Sequence, residues 1–179
     1  NEDAEKLLDN MDTLKESELL KELTQLHNNG IDTVEPEDLT GSVKGQNNIY
    51  DHLNLMIKEA EEHIILVKSE EGLNRKGQAL LRQIKKAHER GVKIHIAAPL
   101  TAKNKEIQKA LHGYVELKDA HNINARFFII DKSQVLFMLA DDEQVHPSYD
   151  VGVWVNTSMF AQALAQLFEL AWKEMKVLA

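Results

Sequence analysis

The pattern of apolar and polar positions is clearest in Asn124-Ala125-Arg126-Phe127-Phe128-Ile129-Ile130-Asp131. Four consecutive apolar residues between polar ends predict a short strand buried on both faces. Lys132-Ser133-Gln134 reads as a turn, and Val135 to Leu139 is a second apolar run, so the pair predicts a hairpin. Upstream, short apolar runs at Ile64–Val67, Val92–Ala98 and Tyr114–Leu117 alternate with helical patterns. Those patterns cover Gln46–Glu62, Gln78–Arg90 and Lys103–Leu111, with Gly91 closing the second and Thr101 a cap for the third. After the hairpin come a polar loop from Asp141 to Pro147, a strand at Val151–Val155 and a helix at Ser158–Lys176. The last helix is expected to turn Phe160, Leu164, Leu167, Phe168, Ala171 and Trp172 inward. Helices alternating with strands, then a hairpin, define an α/β fold: a mixed sheet flanked by helices, its earlier strands parallel.

The first forty residues read differently. Residues 2–28 predict helix, with Ala4, Leu7, Met11 and Leu14 at the 3-4 spacing of a coiled-coil seam. Glu18 breaks the seam, and Leu19, Leu23 and Leu26 resume it one step out of phase. Thr13-x-x-Glu16 has the form of a capping box that divides the segment into two helices. So narrow an apolar stripe must pack on something: the chain's own domain or, as the spacing favours, a partner helix in a homodimer. Asn28-Asn29-Gly30 ends the helix, and the polar stretch Ile31–Ser42 reads as a linker. Two segments follow: residues 1–42, acidic and helical, and residues 43–179, a compact α/β domain.

Composition narrows the function classes. Of 179 residues, none is cysteine, which excludes disulfides and thiolate metal sites. No apolar run approaches the ~20 residues of a membrane span, and a cytoplasmic setting fits. The chain starts at Asn1 without methionine, so a segment is expected upstream. Its net charge of −8 is concentrated in residues 1–41, which hold twelve acidic residues and three lysines. Neither part has the basic excess of a nucleic-acid grip. The eight histidines show no metal-ligand spacing, and Gly72 and Gly77 do not form a phosphate loop. No cofactor is implied.

The hairpin resembles the H-x-K-x-x-x-x-D signature of the phospholipase D superfamily. Asn124 stands at the histidine position, Arg126 at the lysine and Asp131 at the aspartate. The family's G-S-x-N segment falls on Met138-Leu139-Ala140-Asp141, a second departure. That chemistry forms a phosphoenzyme on histidine, and an asparagine amide is neutral and not nucleophilic. His121 lies three residues away, but its own H-x-K partner position is Ile123. The chain also resembles the phospholipase D-like effector domain of TrmB-type archaeal transcription regulators. Val43-Lys44-Gly45-Gln46-Asn47-Asn48-Ile49, Ile57–Ile64, Arg90-Gly91-Val92-Lys93-Ile94 and Phe168-Glu169-Leu170-Ala171-Trp172 match its landmarks in order. The resemblance implies a DNA-binding winged helix that lies outside this chain and a helical linker.

Ligands in open α/β sheets gather beyond the carboxyl ends of parallel strands. Ser69, Thr101, Asn124 and Arg126 are the candidate ligand-binding residues there. Arg126 has two readings: a two-pronged grip on a carboxylate or phosphate, or an internal ion pair with Asp131 or Asp150. Ser69 and Thr101 are equally suited to helix capping. The basic run Arg82, Lys85, Lys86 and Arg90 is either a solvated face or a dock for an acidic helix. The expected function is a non-catalytic effector-sensing and dimerisation domain of a transcription regulator. The rival expectations are a phosphodiesterase with a displaced catalytic residue and a protein–protein adaptor.

Overall fold

In the computed structural model, which describes residues 2–30 and 35–177, helix α1 spans Glu2–Gly30. Helix α2 (Pro36–Leu39), strand β1 (Thr40–Lys44), α3 (Gln46–Glu59) and β2 (His63–Val67) follow. Next come α4 (Glu70–Glu89), β3 (Lys93–Ala98), a 3₁₀ turn at Ala102–Asn104, α5 (Lys105–Leu111) and β4 (Glu116–Asp119). The hairpin is β5 (Phe127–Ile130) and β6 (Gln134–Met138). A 3₁₀ turn at Pro147–Tyr149 leads to β7 (Val151–Val155), α6 (Ser158–Glu174) and β8 (Lys176–Val177). The chain divides into two compact units, Asn1–Pro36 and Glu37–Ala179.

In the second unit one eight-stranded sheet runs β1-β7-β6-β5-β2-β3-β4-β8. β2, β3 and β4 are parallel, and every other pairing is antiparallel. Strand periodicity explains the two cores. Ile64 and Leu66 of β2 join Leu53, Ile57, Leu80, Ile84 and Ile107 beneath α3, α4 and α5. Ile65 and Val67, pointing the other way, join Ala161, Ala165, Phe168 and Trp172 beneath α6. Each buried aliphatic side chain contributes roughly 1.5–3 kcal/mol, so both faces of β2 are strongly held in register.

Several elements depart from the sequence expectation, each for a physical reason. α1 does not divide at Thr13; the Thr13 hydroxyl donates to the Asp9 carbonyl at 2.8 Å, a bond made inside a helix. Residues 31–34 of the expected linker lie outside the described residues. The end of that stretch supplies the edge strand β1, in which alternate residues are exposed. A half-exposed edge held by backbone pairing to β7 needs no apolar run.

α4 begins at Glu70 rather than Gln78, running through two glycines that read as breakers. A Cβ on Gly77 would lie 2.5 Å from Ile107 Cγ1, so that glycine lets α4 and α5 pack closely. Gly91 sits at φ 86 just after α4 and does end it. β4 begins two residues later than the apolar run suggests, and α6 stops at Glu174 to let Lys176–Val177 pair with β4.

α6 carries one polar stripe, Gln162, Gln166, Glu169 and Lys173, and an apolar surface wider than its buried face. Phe168 and Trp172 are buried as expected, whereas Leu167 is 64% exposed and Phe160 41%. Ala161 and Ala165 face the sheet instead, and their small side chains bring the helix close to it.

The first unit is dominated by α1. Leu7, Met11, Leu14, Leu19 and Leu23 of the expected seam are all exposed, as are Leu8 and Leu20. The side chain of Leu26 lies outside the described residues. None of the described helices is long and apolar enough to cross a membrane.

Candidate functional site

The parallel strands β2 and β3 end at Val67 and Ala98, and β5, antiparallel to β2, begins there. The pairing of Phe127 with Val67 places Arg126 level with Lys68, just past the strand ends. Leu139 at the end of β6 bonds to Val151 at the start of β7, which brings Ala140 and Asp150 to the same end of the sheet.

Arg126 is the centre of this end. Its Nη2 lies 2.9 Å from Asp150 Oδ2 and its Nη1 3.4 Å from Oδ1, a two-pronged pair. Nη1 also donates to the Ala140 carbonyl at 2.8 Å. The side chains of Arg126 and Asp150 are only 10% and 3% exposed. Two buried charges this close require each other, since either alone would be left without compensation. Asp150 is anchored in turn through its carbonyl, which accepts from Gly45 N at 2.8 Å. Of the two readings of Arg126, the geometry shows the ion pair, with Asp150 rather than Asp131 as partner.

Asp131 lies at the far end of β5. Its carboxylate accepts from the backbone amides of Glu61, Glu62 and His63 at 2.8–3.0 Å. Asp131 and Lys132 both adopt left-handed backbone, with φ 53 and 52, in the tight turn closed by Ser133 N and Ile130 O. In this chain the third motif position therefore holds the hairpin to the loop before β2.

Ser69 caps α4, its Oγ accepting from Gly72 N at 2.9 Å and donating to Asp142 Oδ2 at 2.6 Å. That same Asp142 oxygen lies 3.8 Å from Arg126 Nε, so Ser69 and Arg126 meet through Asp142. Thr101 caps the turn before α5 in a reciprocal box with Asn104 and donates to the Glu70 carboxylate. Asn124 is exposed in the segment leading into β5. The four predicted residues thus share one end of the sheet, but only Ser69 and Arg126 are directly linked by a common partner. Lys68, 4% exposed with its Nζ 5.2 Å above the Phe128 ring, belongs to the same end. A cleft of about 820 Å³ opens nearby at the start of α3, lined by Lys44, Gly45, Asn47 and Ser148.

Asp142 and Lys68 were missed from the sequence. Asp142 lies in a polar loop whose acidic residues look uniformly solvated, and nothing local shows that one turns inward. Lys68 directly follows a buried strand, which is a weak signal by itself.

At the opposite end, His63 and His95 stand edge to face, 4.9 Å between ring centres, and His95 stacks on Trp172. Burial holds both imidazoles below their ordinary value of 6.5, so they are neutral at neutral pH. Among the described residues no group of three or more His, Asp or Glu is placed to hold a metal ion.

This order of strands, with α3, α4 and α5 on one face and α6 on the other, is the phospholipase D-like fold. It is similar to the phospholipase D family member Nuc from Salmonella typhimurium (TM-score 0.62, 12% identity, 76% of this chain and 97% of that one). NucT from Helicobacter pylori is similar to the same degree (TM-score 0.63, 14% identity, 78% and 98%). TrmBL2, an archaeal chromatin protein, matches over 99% of this chain and 67% of its own, with TM-score 0.63 and 21% identity. No curated protein sequence matches the chain. The family model for the N-terminal subdomain of the effector-binding domain of the transcriptional regulator TrmB covers residues 41–179. The chain belongs to that family and is a domain of a transcription regulator.

Proposed function

We propose that the chain is the effector-sensing and dimerising part of a TrmB-type regulator and does not cleave phosphodiesters. One observation carries this reading. The guanidinium at the family's lysine position is committed to Asp150, and the position of the nucleophile holds an exposed asparagine. Without a nucleophile there is no covalent phosphoryl intermediate, whatever else the pocket retains. What remains at the strand ends is a binding surface: the Ser69 and Thr101 hydroxyls and the Asn124 amide, set around the Arg126–Asp150 pair.

A hydroxyl-rich or anionic small molecule suits that set, because hydroxyl and amide groups at the strand ends can donate hydrogen bonds to its oxygens. Dimerisation is assigned to α1, whose leucines Leu7, Leu14, Leu19 and Leu23 are exposed and could be covered by a partner helix. DNA contact is assigned to a winged helix outside this chain; TrmBL2 is described as an archaeal chromatin protein with its own mode of DNA binding. The test is a thermal-shift screen with sugars, sugar phosphates and small organic acids. A compound that raises the melting temperature of the wild type, but not of Ser69→Ala or Asn124→Ala, supports the assignment. Binding that is indifferent to both changes places the effector elsewhere and refutes it.

A further inference from the structure

The loop from Leu139 to Tyr149 joins β6 to β7, and most of its side chains, Glu143, Gln144 and Tyr149 among them, are exposed. Asp142 is among those that are not: its side chain is 5% exposed. One carboxylate oxygen accepts from Ser69 Oγ at 2.6 Å and faces Arg126 Nε at 3.8 Å. The other, Oδ1, is buried with no hydrogen-bond partner among the described residues. A buried carboxylate oxygen without a donor is costly and rare, and it calls for an explanation.

Charge neutralisation does not supply one. Asp150 already takes both terminal nitrogens of Arg126, so Asp142 is a second carboxylate at a satisfied guanidinium, too far from Nε for a hydrogen bond. What Asp142 does occupy is the space in front of the first turn of α4, a helix of 20 residues. There the amino-terminal end of the helix and the Ser69 hydroxyl favour an oxyanion beside Glu70 and Glu71 of the same turn, and Arg126 Nε is the guanidinium nitrogen that Asp150 does not take.

We infer that Asp142 is a built-in occupant of an oxyanion site at the start of α4, displaced when a small carboxylate- or phosphate-bearing ligand enters. The inference rests on the proposed binding role of this end of the sheet and adds its ligand class and its gate. The incoming oxyanion takes the Ser69 hydroxyl and Arg126 Nε–H. Asp142 returns to water with the exposed loop that carries it, while the Arg126–Asp150 pair stays closed and holds the strand ends in place. Wild-type affinity is therefore lowered by the competition with Asp142, and removing that carboxylate strengthens binding.

The experiment is calorimetric titration of the full chain with inorganic phosphate at low ionic strength. Asp142→Ala is expected to bind at least about tenfold more tightly than wild type, a gain of about 1.4 kcal/mol. Asp142→Asn, which keeps the shape and removes the charge, is expected to move the same way and decides the matter if the alanine variant folds poorly. Adding Ser69→Ala to either variant is expected to cancel the gain. Equal affinities in wild type and both Asp142 variants, including no binding in any, overturn the inference. If wild type binds phosphate through Ser69 and the Asp142 variants bind no better, the binding role stands and the gate falls. A gain that survives Ser69→Ala puts the phosphate elsewhere and overturns both.

Discussion

Arg126 and Asp150 close the end of the sheet on each other: Nη2 and Oδ2 are 2.9 Å apart, and both side chains are almost wholly buried. One lies just before β5 and the other just before β7, on either side of β6. The pair therefore fixes three strands at the point where a phospholipase D-like enzyme would place its reacting groups.

Breaking that pair should be felt first in stability. Arg126→Ala leaves Asp150 as an uncompensated buried charge and is expected to cost roughly 3–5 kcal/mol. Arg126→Lys keeps the charge but loses the two-pronged geometry and the bond to Ala140, so an intermediate loss is expected. Urea unfolding monitored by circular dichroism reads both. A wild-type midpoint in Arg126→Ala would mean that the pair contributes nothing to the fold.

Asp131 should behave as a structural carboxylate. Asp131→Gly keeps the left-handed backbone available but removes the acceptor for three amides, at an expected cost of about 2 kcal/mol. Asp131→Asn tolerates the same φ and retains one acceptor, so it should lose less. Hydrogen exchange gives the local signature: faster exchange at Glu61, Glu62 and His63 in the glycine variant. Unchanged protection at those amides would contradict the assignment.

Acid should weaken the domain through the histidine pair. Burial depresses the folded-state values of His63 and His95 below 6.5, so the unfolded chain takes up protons that the folded chain resists. Their contribution is intact above about pH 6.5 and is lost as pH falls below it. Protonation also sets each ring against the other, with Lys93, Lys118 and Lys132 adding repulsion and Glu116, Glu169 and Asp131 opposing it. Melting temperatures measured from about pH 8 to about pH 5 should fall more steeply for wild type than for His63→Gln/His95→Gln. Parallel curves would rule out the pair as the source.

Most of the sheet was legible because its central strands are buried on both faces and carry continuous apolar runs. The edge was not: Thr40–Lys44 pairs through its backbone, and Thr40, Ser42 and Lys44 look like any polar loop. α6 was legible as a helix but only partly in orientation: Gln162, Gln166, Glu169 and Lys173 mark one polar stripe, and the wide apolar remainder includes both the buried Phe168 and the exposed Leu167. The candidate site was half legible. The phospholipase D resemblance implies that Asn124 and Arg126 lie beside the strand ends, and Asp150 was among the partners the charge suggested. The inward turn of Asp142 depends on a loop path that no local pattern encodes.

Assembly provides a test of the amino-terminal unit. Leu7, Met11, Leu14, Leu19 and Leu23 are exposed along one helix, and a homodimer would cover them. Light scattering at about ten micromolar, in the range of ordinary interface affinities, is expected to give twice the chain mass. Deleting residues 1–30 is expected to return it to one. A monomer before and after the deletion would show that α1 does not mediate self-association.

The most direct measurement of the central claim is a turnover assay on the purified chain with a chromogenic phosphodiester and with nucleic acid. With Asn124 at the nucleophile position and Arg126 held by Asp150, no product is expected above the rate of an Asn124→Ala preparation made in parallel. Turnover that co-purifies with the wild-type chain and disappears in Arg126→Lys would contradict it, and would make this strand end a catalytic site.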